Sequence, residues 1–284
     1  GGGLRRFVPI LAIALALTSA LVHAAWNALL KAGTDRLVDS ALVAFGWAAF
    51  GAALIAASGP PPPATYMFLL GSAIAHAFYW AALTKGYDMG DLSHVYTLSR
   101  GSAPALVTLG AALAVHEIPQ PLALAGIALV TFGILIVGAS PHAPLKATGW
   151  ALLIGVTIAS YSLIDAFGAR VSGQPASYVG ATLMIDAIPI GAFCLWRRGP
   201  ARLLADARRN WRRGLTAGLV SGAGYGLVLW AQTLAKVGQV SALRETSVVF
   251  AALIAWIVLR ERLGLRRALG AGIVAAGAVL IGII

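Results

Sequence analysis

The chain alternates between long apolar runs and short polar breaks. Ten apolar runs fall near residues 8–31, 37–58, 64–86, 92–115, 120–139, 147–170, 175–196, 213–235, 240–259 and 263–284. An α-helix needs roughly 20 apolar residues to cross about 30 Å of hydrocarbon. The pattern therefore predicts an all-α membrane protein with ten transmembrane helices, because a β-barrel would need shorter runs of alternating hydrophobicity.

Composition agrees with a membrane protein. Hydrophobic residues make up 59% of the 284 residues and charged residues 11%, about half the charged share of a soluble domain. The net charge of +11 does not indicate a nucleic-acid surface, because the basic residues lie in the breaks between apolar runs. The single cysteine, Cys194, excludes an internal disulfide and a thiolate metal cluster. The first run shows no cleavage site and is predicted to be a retained helix.

Lysine and arginine concentrate in the breaks on one side of the predicted membrane. Of the 21 basic residues, 15 lie on that side, four lie on the other, and Arg100 and Arg244 lie within spans. Because cytoplasmic loops carry the excess of lysine and arginine, the sequence predicts that both termini lie outside the cytoplasm. The arginine-rich stretch 197–213 is predicted to be a cytoplasmic loop.

The stretch 96–138 recurs in the second part of the chain at a constant offset of 144 residues. The repeated residues are Arg100, Leu109, Ala111, Glu117, Gly126, Val130, Gly133 and Gly138, matched by Arg244, Leu253, Ala255, Glu261, Gly270, Val274, Gly277 and Gly282. The copies lie five spans apart, so the second copy crosses the bilayer in the opposite sense. The sequence therefore predicts two inverted five-helix repeats, 1–145 and 146–284, an architecture found in secondary transporters.

On these features the chain resembles the EamA-type branch of the drug/metabolite transporter superfamily. Each half ends in an apolar run, a glutamate (Glu117 or Glu261) and a glycine-spaced last helix, and Pro104 also fits the pattern, with Val248 in its place in the second half. The nearest analogy is to the YddG-type amino-acid exporters. The resemblance implies a multi-pass protein of the bacterial inner (plasma) membrane that exports amino acids and related metabolites by alternating access. Relatives commonly keep their termini in the cytoplasm, so the predicted orientation departs from that pattern.

Charged residues inside spans are candidates for substrate or ion contact, since a central charge costs roughly 2.5 to 3.5 kcal/mol on insertion scales. Arg100 and Arg244 could offer a fork of donors to a substrate carboxylate. The alternative is an intramolecular pair with Glu245 or Asp186. Those two carboxylates are the candidates for proton or charge coupling. Asp165 lies near the end of its run and is expected to reach an interface and stay solvated.

Aromatic and polar residues follow one face of the third run, where lipid contact would favour leucine or valine. His76 could contact substrate, relay protons or simply bond a neighbouring helix. Tyr79 and Trp80 could line a cavity or belong to an interfacial aromatic belt. The predicted cavity lining is Trp26, Asn27, His76, Tyr79, Trp80, Tyr96, Arg100, Tyr161, Tyr225, Trp230 and Arg244.

These features favour a secondary transporter that exports amino acids, with an aromatic preference left open. A drug or other metabolite exporter of the same fold is the alternative. A membrane-embedded enzyme is less favoured because no His-Glu-x-x-His run occurs, and a channel is less favoured because no filter-like loop is present. The expected partners are a small-molecule substrate, the lipid bilayer and protons as coupling ion, with no cofactor, metal or nucleic acid.

Overall fold

The computed structural model describes residues 8–30, 36–89, 92–138, 143–257, 260 and 264–283, and these residues form helices joined by short turns. The helices are α1 Ile10–Leu30, α2 Arg36–Ser58, α3 Tyr66–Met89, α4 Leu92–Val115, α5 Pro121–Gly138, α6 Leu145–Ser172, α7 Pro175–Arg198, α8 Pro200–Leu234, α9 Val237–Arg244, α10 Ser247–Ile257 and α11 Leu265–Gly282. A 3₁₀ turn, Pro63–Thr65, precedes α3.

The helices are of membrane length. Within the described ranges, nine spans are long and apolar enough to cross a bilayer, with α9 and α10 counted as one span. Helix α1, 21 residues long, is a tenth apolar helix. The prediction of an all-α membrane protein is therefore confirmed.

Helix α8 begins well before the apolar run that it contains. It is 35 residues long, or about 52 Å at 1.5 Å per residue, and so it exceeds the thickness of the hydrocarbon core. The prediction of a loop at 197–213 was wrong, because most of this stretch is the first part of α8. Pro200 starts the helix, where the missing N–H has no bond to lose. Leu203 packs in a cluster with Leu42 and Cys194 and holds the extension against α2 and α7.

The ninth span is interrupted near its middle. Helix α9 ends at Arg244 and α10 begins at Ser247. In the intervening turn the N–H of Glu245 donates to the Ala242 carbonyl at 3.1 Å, and that of Thr246 donates to Leu243 at 3.2 Å. The sequence predicted one continuous run here. The break places Arg244 and Glu245 at membrane depth, and discontinuous helices of this kind line binding sites in transporters.

Helices α5 and α11 pack together through the glycines of the repeat. Gly126 faces Gly277 and Gly133 faces Gly270, and a Cβ added to any of the four would lie 2.6 to 2.9 Å from the facing carbonyl oxygen. The offset of 144 makes Gly126 equivalent to Gly270 and Gly133 equivalent to Gly277. Gly126 therefore meets the equivalent of Gly133, and Gly133 meets the equivalent of Gly126. Two inverted halves predict this reciprocal contact.

The helices form two bundles. In the first bundle α3 and α4 pack on α6, and α5 packs on α4. In the second bundle α8, α9 and α10 pack on α1, and α11 packs on α10. Helices α2 and α7, which approach closely at Gly51 and Gly180, connect the two bundles. Each bundle thus includes the first helix of the opposite half, α6 or α1, and the candidate site lies between the bundles.

Candidate functional site

Arg100 on α4 forms a buried ion pair with Glu245 at the break between α9 and α10. The Nη2 atom donates to Oε1 at 2.6 Å and Nε donates to Oε2 at 3.2 Å. The two residues are only 8% and 3% exposed. This two-point geometry is the intramolecular pair that the sequence left open as an alternative to substrate contact, and in it the two charges compensate each other.

Arg244 occupies the equivalent position in the second half but lacks such a partner. The residue 144 positions before Glu245 is Gly101, so the first half offers no equivalent carboxylate. Arg244 is half-buried, and it makes no ion pair with another residue that the structure describes. The site therefore carries one guanidinium whose charge is not compensated by a neighbouring carboxylate.

Tyrosines form a wall beside the two arginines. The hydroxyl groups of Tyr79, Tyr96 and Tyr161 interact electrostatically with Arg100, and Tyr161 also interacts with Arg244. The ring of Tyr79 contacts Tyr161 edge to face, with centroids 5.7 Å apart. Trp80 lies against Tyr79 at 5.4 Å. These side chains come from α3, α4 and α6 and give the candidate site an aromatic surface with polar tips.

Helix α1 contributes two rings on the opposite side. The Trp26 indole N–H donates to His23 Nδ1 at 3.3 Å, and His23 interacts electrostatically with Arg100 and Arg244. Trp26 thus contacts a histidine that interacts with both arginines, and the sequence did not select His23. The side chain of Asn27 lies outside the described residues.

Asp165 on α6 is fully buried, so the expectation that it would be solvated at an interface was wrong. Tyr178 donates to Oδ1 at 3.0 Å, and Tyr225 donates to Oδ2. The cause is the length of α6, which continues to Ser172 and leaves Asp165 about two turns inside, covered by α7 and α8. Tyr225, a predicted cavity residue, is thus bound to Asp165.

His76 and Asp186 lie beside Asp165. The imidazole Nδ1 is 3.4 Å from Asp186 Oδ2 and donates to the Ser72 carbonyl at 3.0 Å. The ring stacks on Tyr161 with centroids 4.1 Å apart. His76, Asp165 and Asp186 are called here the acid-histidine group.

A polar network joins four segments at one end of the bundles. Arg170 donates to Glu117 at 2.7 Å and to the carbonyl oxygens of Gln232 and Ala235 at 2.8 and 2.7 Å. Glu117 also accepts the N–H of Val237 at 2.6 Å. Lys236 donates to the Ile118 carbonyl at 2.5 Å. We call this end the Lys236 face, and its network ties together α6, the end of α8, the turn before α5 and the turn before α9.

The opposite end of the bundles is called the arginine face because it carries Arg197 and Arg198. Helix α4 packs against α9 near the Lys236 face, where a Cβ on Gly238 would touch Thr108. Within the described residues α4 makes no comparable contact with α10. Tyr96, near the start of α4, is 40% exposed. Tyr96 thus lies at the end of the tyrosine wall that is nearer the arginine face.

Comparison with known proteins decides the family. Residues 145–283 match the EamA-like transporter family. This half of the chain belongs to that family. No curated protein matches the chain. Among solved structures, one titled "Crystal structure of protein" is similar over 96% of both chains, with 18% identity and a TM-score of 0.74, which shows a shared fold.

The match to the EamA-like transporter family indicates a membrane transporter of small substrates. The family match covers the second predicted half, and the structural likeness extends over both halves. The closer analogy to YddG-type exporters stays a prediction, as does the orientation of the termini.

The structure brings most of the predicted site residues of this EamA-like chain together. Those that lie in or beside one central cluster are Trp26, His76, Tyr79, Trp80, Tyr96, Arg100, Tyr161, Arg244, Glu245 and Asp186. Trp230 stands apart, 47% exposed on α8 and without a ring contact among the described residues. Asp165 was missed, although it follows Tyr161 by four residues and so lies on the same face of its helix.

Proposed function

We propose that this EamA-like protein is a secondary transporter of small carboxylate-bearing metabolites, amino acids first among them, and that Arg244 binds the substrate carboxylate. The observation that carries the proposal is the uncompensated guanidinium at the helix break. A buried charge without a partner is costly in a membrane, and a planar carboxylate satisfies an arginine fork with two parallel hydrogen bonds.

The surroundings of Arg244 suit a zwitterionic or aromatic substrate. Tyr161 interacts electrostatically with both Arg244 and the Arg100–Glu245 pair, so its hydroxyl lies where polar substrate groups would bind. Tyr79, Tyr161 and Trp26 offer ring faces and edges for an apolar side chain. The compensated Arg100–Glu245 pair fixes one wall of the cavity and leaves Arg244 as the anion ligand.

Alternating access would require the Arg170–Glu117 network, which links α6 to the turns before α5 and α9 at the Lys236 face, to break and re-form. The excess of lysine and arginine assigns the arginine face to the cytoplasm. A cavity that opens at the arginine face would then open to the cytoplasm, which suits loading for export, with both termini on the opposite side.

The two carboxylates assigned to coupling have different surroundings. Glu245 is bound at both oxygens by Arg100, so we assign it charge compensation within the cavity wall. Asp186 has its one ion-pair contact within the described part of the chain with the His76 imidazole, and we assign it a role in proton coupling. Transport would then draw on an ion gradient, with no nucleotide hydrolysis.

The test uses the full chain in proteoliposomes. Labelled phenylalanine and a panel of other amino acids should exchange with saturable kinetics. Competition by phenylalanine should exceed that by phenylalaninamide, which lacks the carboxylate. Arg244→Gln should weaken competition by carboxylate-bearing compounds about ten- to 150-fold, because a hydrogen bond to a charged group contributes roughly 1.5 to 3 kcal/mol.

The matched control is Arg209→Gln, an exposed arginine on α8, which should leave competition unchanged. Linear, non-saturating flux would indicate a channel. Absence of flux for every metabolite tested would overturn the transporter proposal. Equal loss of competition by phenylalanine and phenylalaninamide in Arg244→Gln would remove Arg244 from carboxylate recognition.

A further inference from the structure

The acid-histidine group places two carboxylates around one imidazole inside the membrane. Asp186 Oδ2 lies 3.4 Å from His76 Nδ1, and Asp165 interacts electrostatically with both His76 and Asp186. Asp165 is 0% exposed and Asp186 is 4% exposed. The three residues come from α3, α6 and α7, so the group forms only when both halves of the chain are packed together.

Hydrogen-bond donors are too few for two ionised carboxylates. Asp165 is well supplied, because Tyr178 and Tyr225 each donate to one of its oxygens. Asp186 shares the single His76 Nδ1 hydrogen with the Ser72 carbonyl. Its other oxygen, Oδ1, is buried and has no hydrogen-bond partner among the described residues. A buried carboxylate oxygen without a donor is costly, and protonation of that oxygen removes the deficit.

The charges of the group also favour a bound proton. With His76 neutral and both carboxylates ionised, the group carries a charge of −2, and with the imidazole protonated it carries −1. One further proton on a carboxylate makes the group neutral. Net charge is expensive in a membrane interior, and two nearby carboxylates resist simultaneous ionisation. The buried group is therefore suited to hold a proton and to release it when water enters.

The group has a route to the substrate cavity through His76. The His76 side chain is 12% exposed, against 5% for Asp186, and its ring stacks on Tyr161. The titratable residues that face the group are Tyr161 on α6, Tyr178 on α7 and Tyr225 on α8. The nearest further charges, Arg100, Glu245 and Arg244, interact with the other side of Tyr161.

We propose that His76, Asp165 and Asp186 form one proton-binding site that couples substrate transport to proton movement, an inference that rests on the proposed transport function. A proton leaves water in the cavity, passes through the imidazole and binds a carboxylate oxygen of the group. When the cavity opens to the other side of the membrane, the same proton returns to water there. One positive charge crosses the membrane and no covalent bond to carbon changes.

The direct test needs no substrate. Infrared difference spectra of the purified full-length protein are recorded from about pH 4 to about pH 10, the range in which carboxyl and imidazole groups titrate. The wild type should show a carbonyl band of a protonated carboxylic acid that disappears as the pH rises. The band should be lost or displaced in Asp186→Asn and unchanged in Asp206→Asn, a more exposed carboxylate paired with Arg202. A spectrum without any band dependent on Asp186 or Asp165 would overturn the proposal.

A transport measurement separates this inference from the proposed function. In proteoliposomes with equal pH on both sides, exchange of labelled phenylalanine and the other amino acids tests transport alone. A one-unit pH gradient should then support an accumulation ratio of up to about tenfold for one coupled proton. Asp186→Asn should retain measurable exchange and lose this accumulation. Wild-type exchange that is indifferent to the gradient would contradict coupling while leaving the transport proposal intact. His76→Gln provides a second variant that leaves both carboxylates in place.

Discussion

Arg100 and Arg244 occupy equivalent positions in the two halves of the chain, and the structure gives them opposite surroundings. Arg100 is buried and bound at two points by Glu245. Arg244 is half-buried, and the first half of the chain offers Gly101 at the position that corresponds to Glu245 in the second half. The difference between Gly101 and Glu245 therefore gives the two arginines different roles. Arg100 stabilises the wall of the site, and Arg244 remains available to an anion.

The glycines of the repeat, unlike the two arginines, have similar surroundings in the two halves. Gly126 and Gly270 are equivalent and make equivalent contacts, as do Gly133 and Gly277. The packing of α5 against α11 is alike in the two halves. Gly126 meets Gly277, the equivalent of Gly133, and Gly133 meets Gly270, the equivalent of Gly126. The comparison teaches that symmetry is kept where helices pack closely and is broken at the proposed substrate site.

The largest effect is expected from breaking the buried pair. Arg100→Gln should lower the free energy of unfolding by about 3 to 5 kcal/mol, because Glu245 is left buried and unpaired. Arg244→Gln should change it by less than about 1 kcal/mol. Thermal unfolding in detergent measures both. The double variant Arg100→Gln/Glu245→Gln should recover part of the loss, and equal destabilisation by the two single arginine variants would contradict the assigned roles.

A smaller and symmetric effect is expected at the glycines. Gly126→Ala and Gly270→Ala should each destabilise by about 1 to 3 kcal/mol, since each new Cβ would overlap the facing helix. Gly272→Ala on α11 is the matched control, because no atom lies within 4 Å of its added Cβ. The same unfolding assay applies. A clear difference between the first two variants would argue against an equivalent role in the two halves.

Removing the charge of Glu245 should make the two arginines more alike. In Glu245→Gln the Arg100 guanidinium loses its counter-ion, so a second carboxylate on the substrate can bind there. Competition by dicarboxylates such as glutamate should rise by up to about tenfold relative to phenylalanine, which is about 1.4 kcal/mol. The ratio is measured in proteoliposomes. If dicarboxylates gain nothing in a folded variant, Arg100 does not face the bound substrate.

The smallest effect is expected at the partly buried Arg170–Glu117 pair, to which we assign control of access and not binding. Glu117→Gln weakens the link between Arg170 and Val237 and should open the Lys236 face more often. With Cys194 replaced by serine, a cysteine at Thr108, which is 9% exposed, reports this opening. Its labelling by an impermeant maleimide should accelerate a few-fold, as expected for a pair worth about 1 kcal/mol. Asp206→Asn should have no effect, and an unchanged rate in Glu117→Gln would exclude a gating role for this network.

Much of the fold follows from periodicity along the chain. Apolar length predicts the membrane-spanning helices, because a span requires a minimum number of apolar residues whatever its neighbours are. The duplication at offset 144 predicts that α5 and α11 are equivalent, and the glycine contacts agree. The same reasoning misjudged α8, since polar residues beyond the membrane carry no apolar signal although they continue the helix.

The partners of the charged residues were decided only by the tertiary structure. The sequence named Arg100, Arg244, Glu245 and Asp186 without determining which of them pair, because residues 145 positions apart meet only through helix packing. Asp165 shows the same limit, since its position near the end of a run predicted solvent, while α7 and α8 cover it. The apolar length of one helix is a local property that the sequence records. The burial of a polar residue and the compensation of its charge depend on contacts between helices.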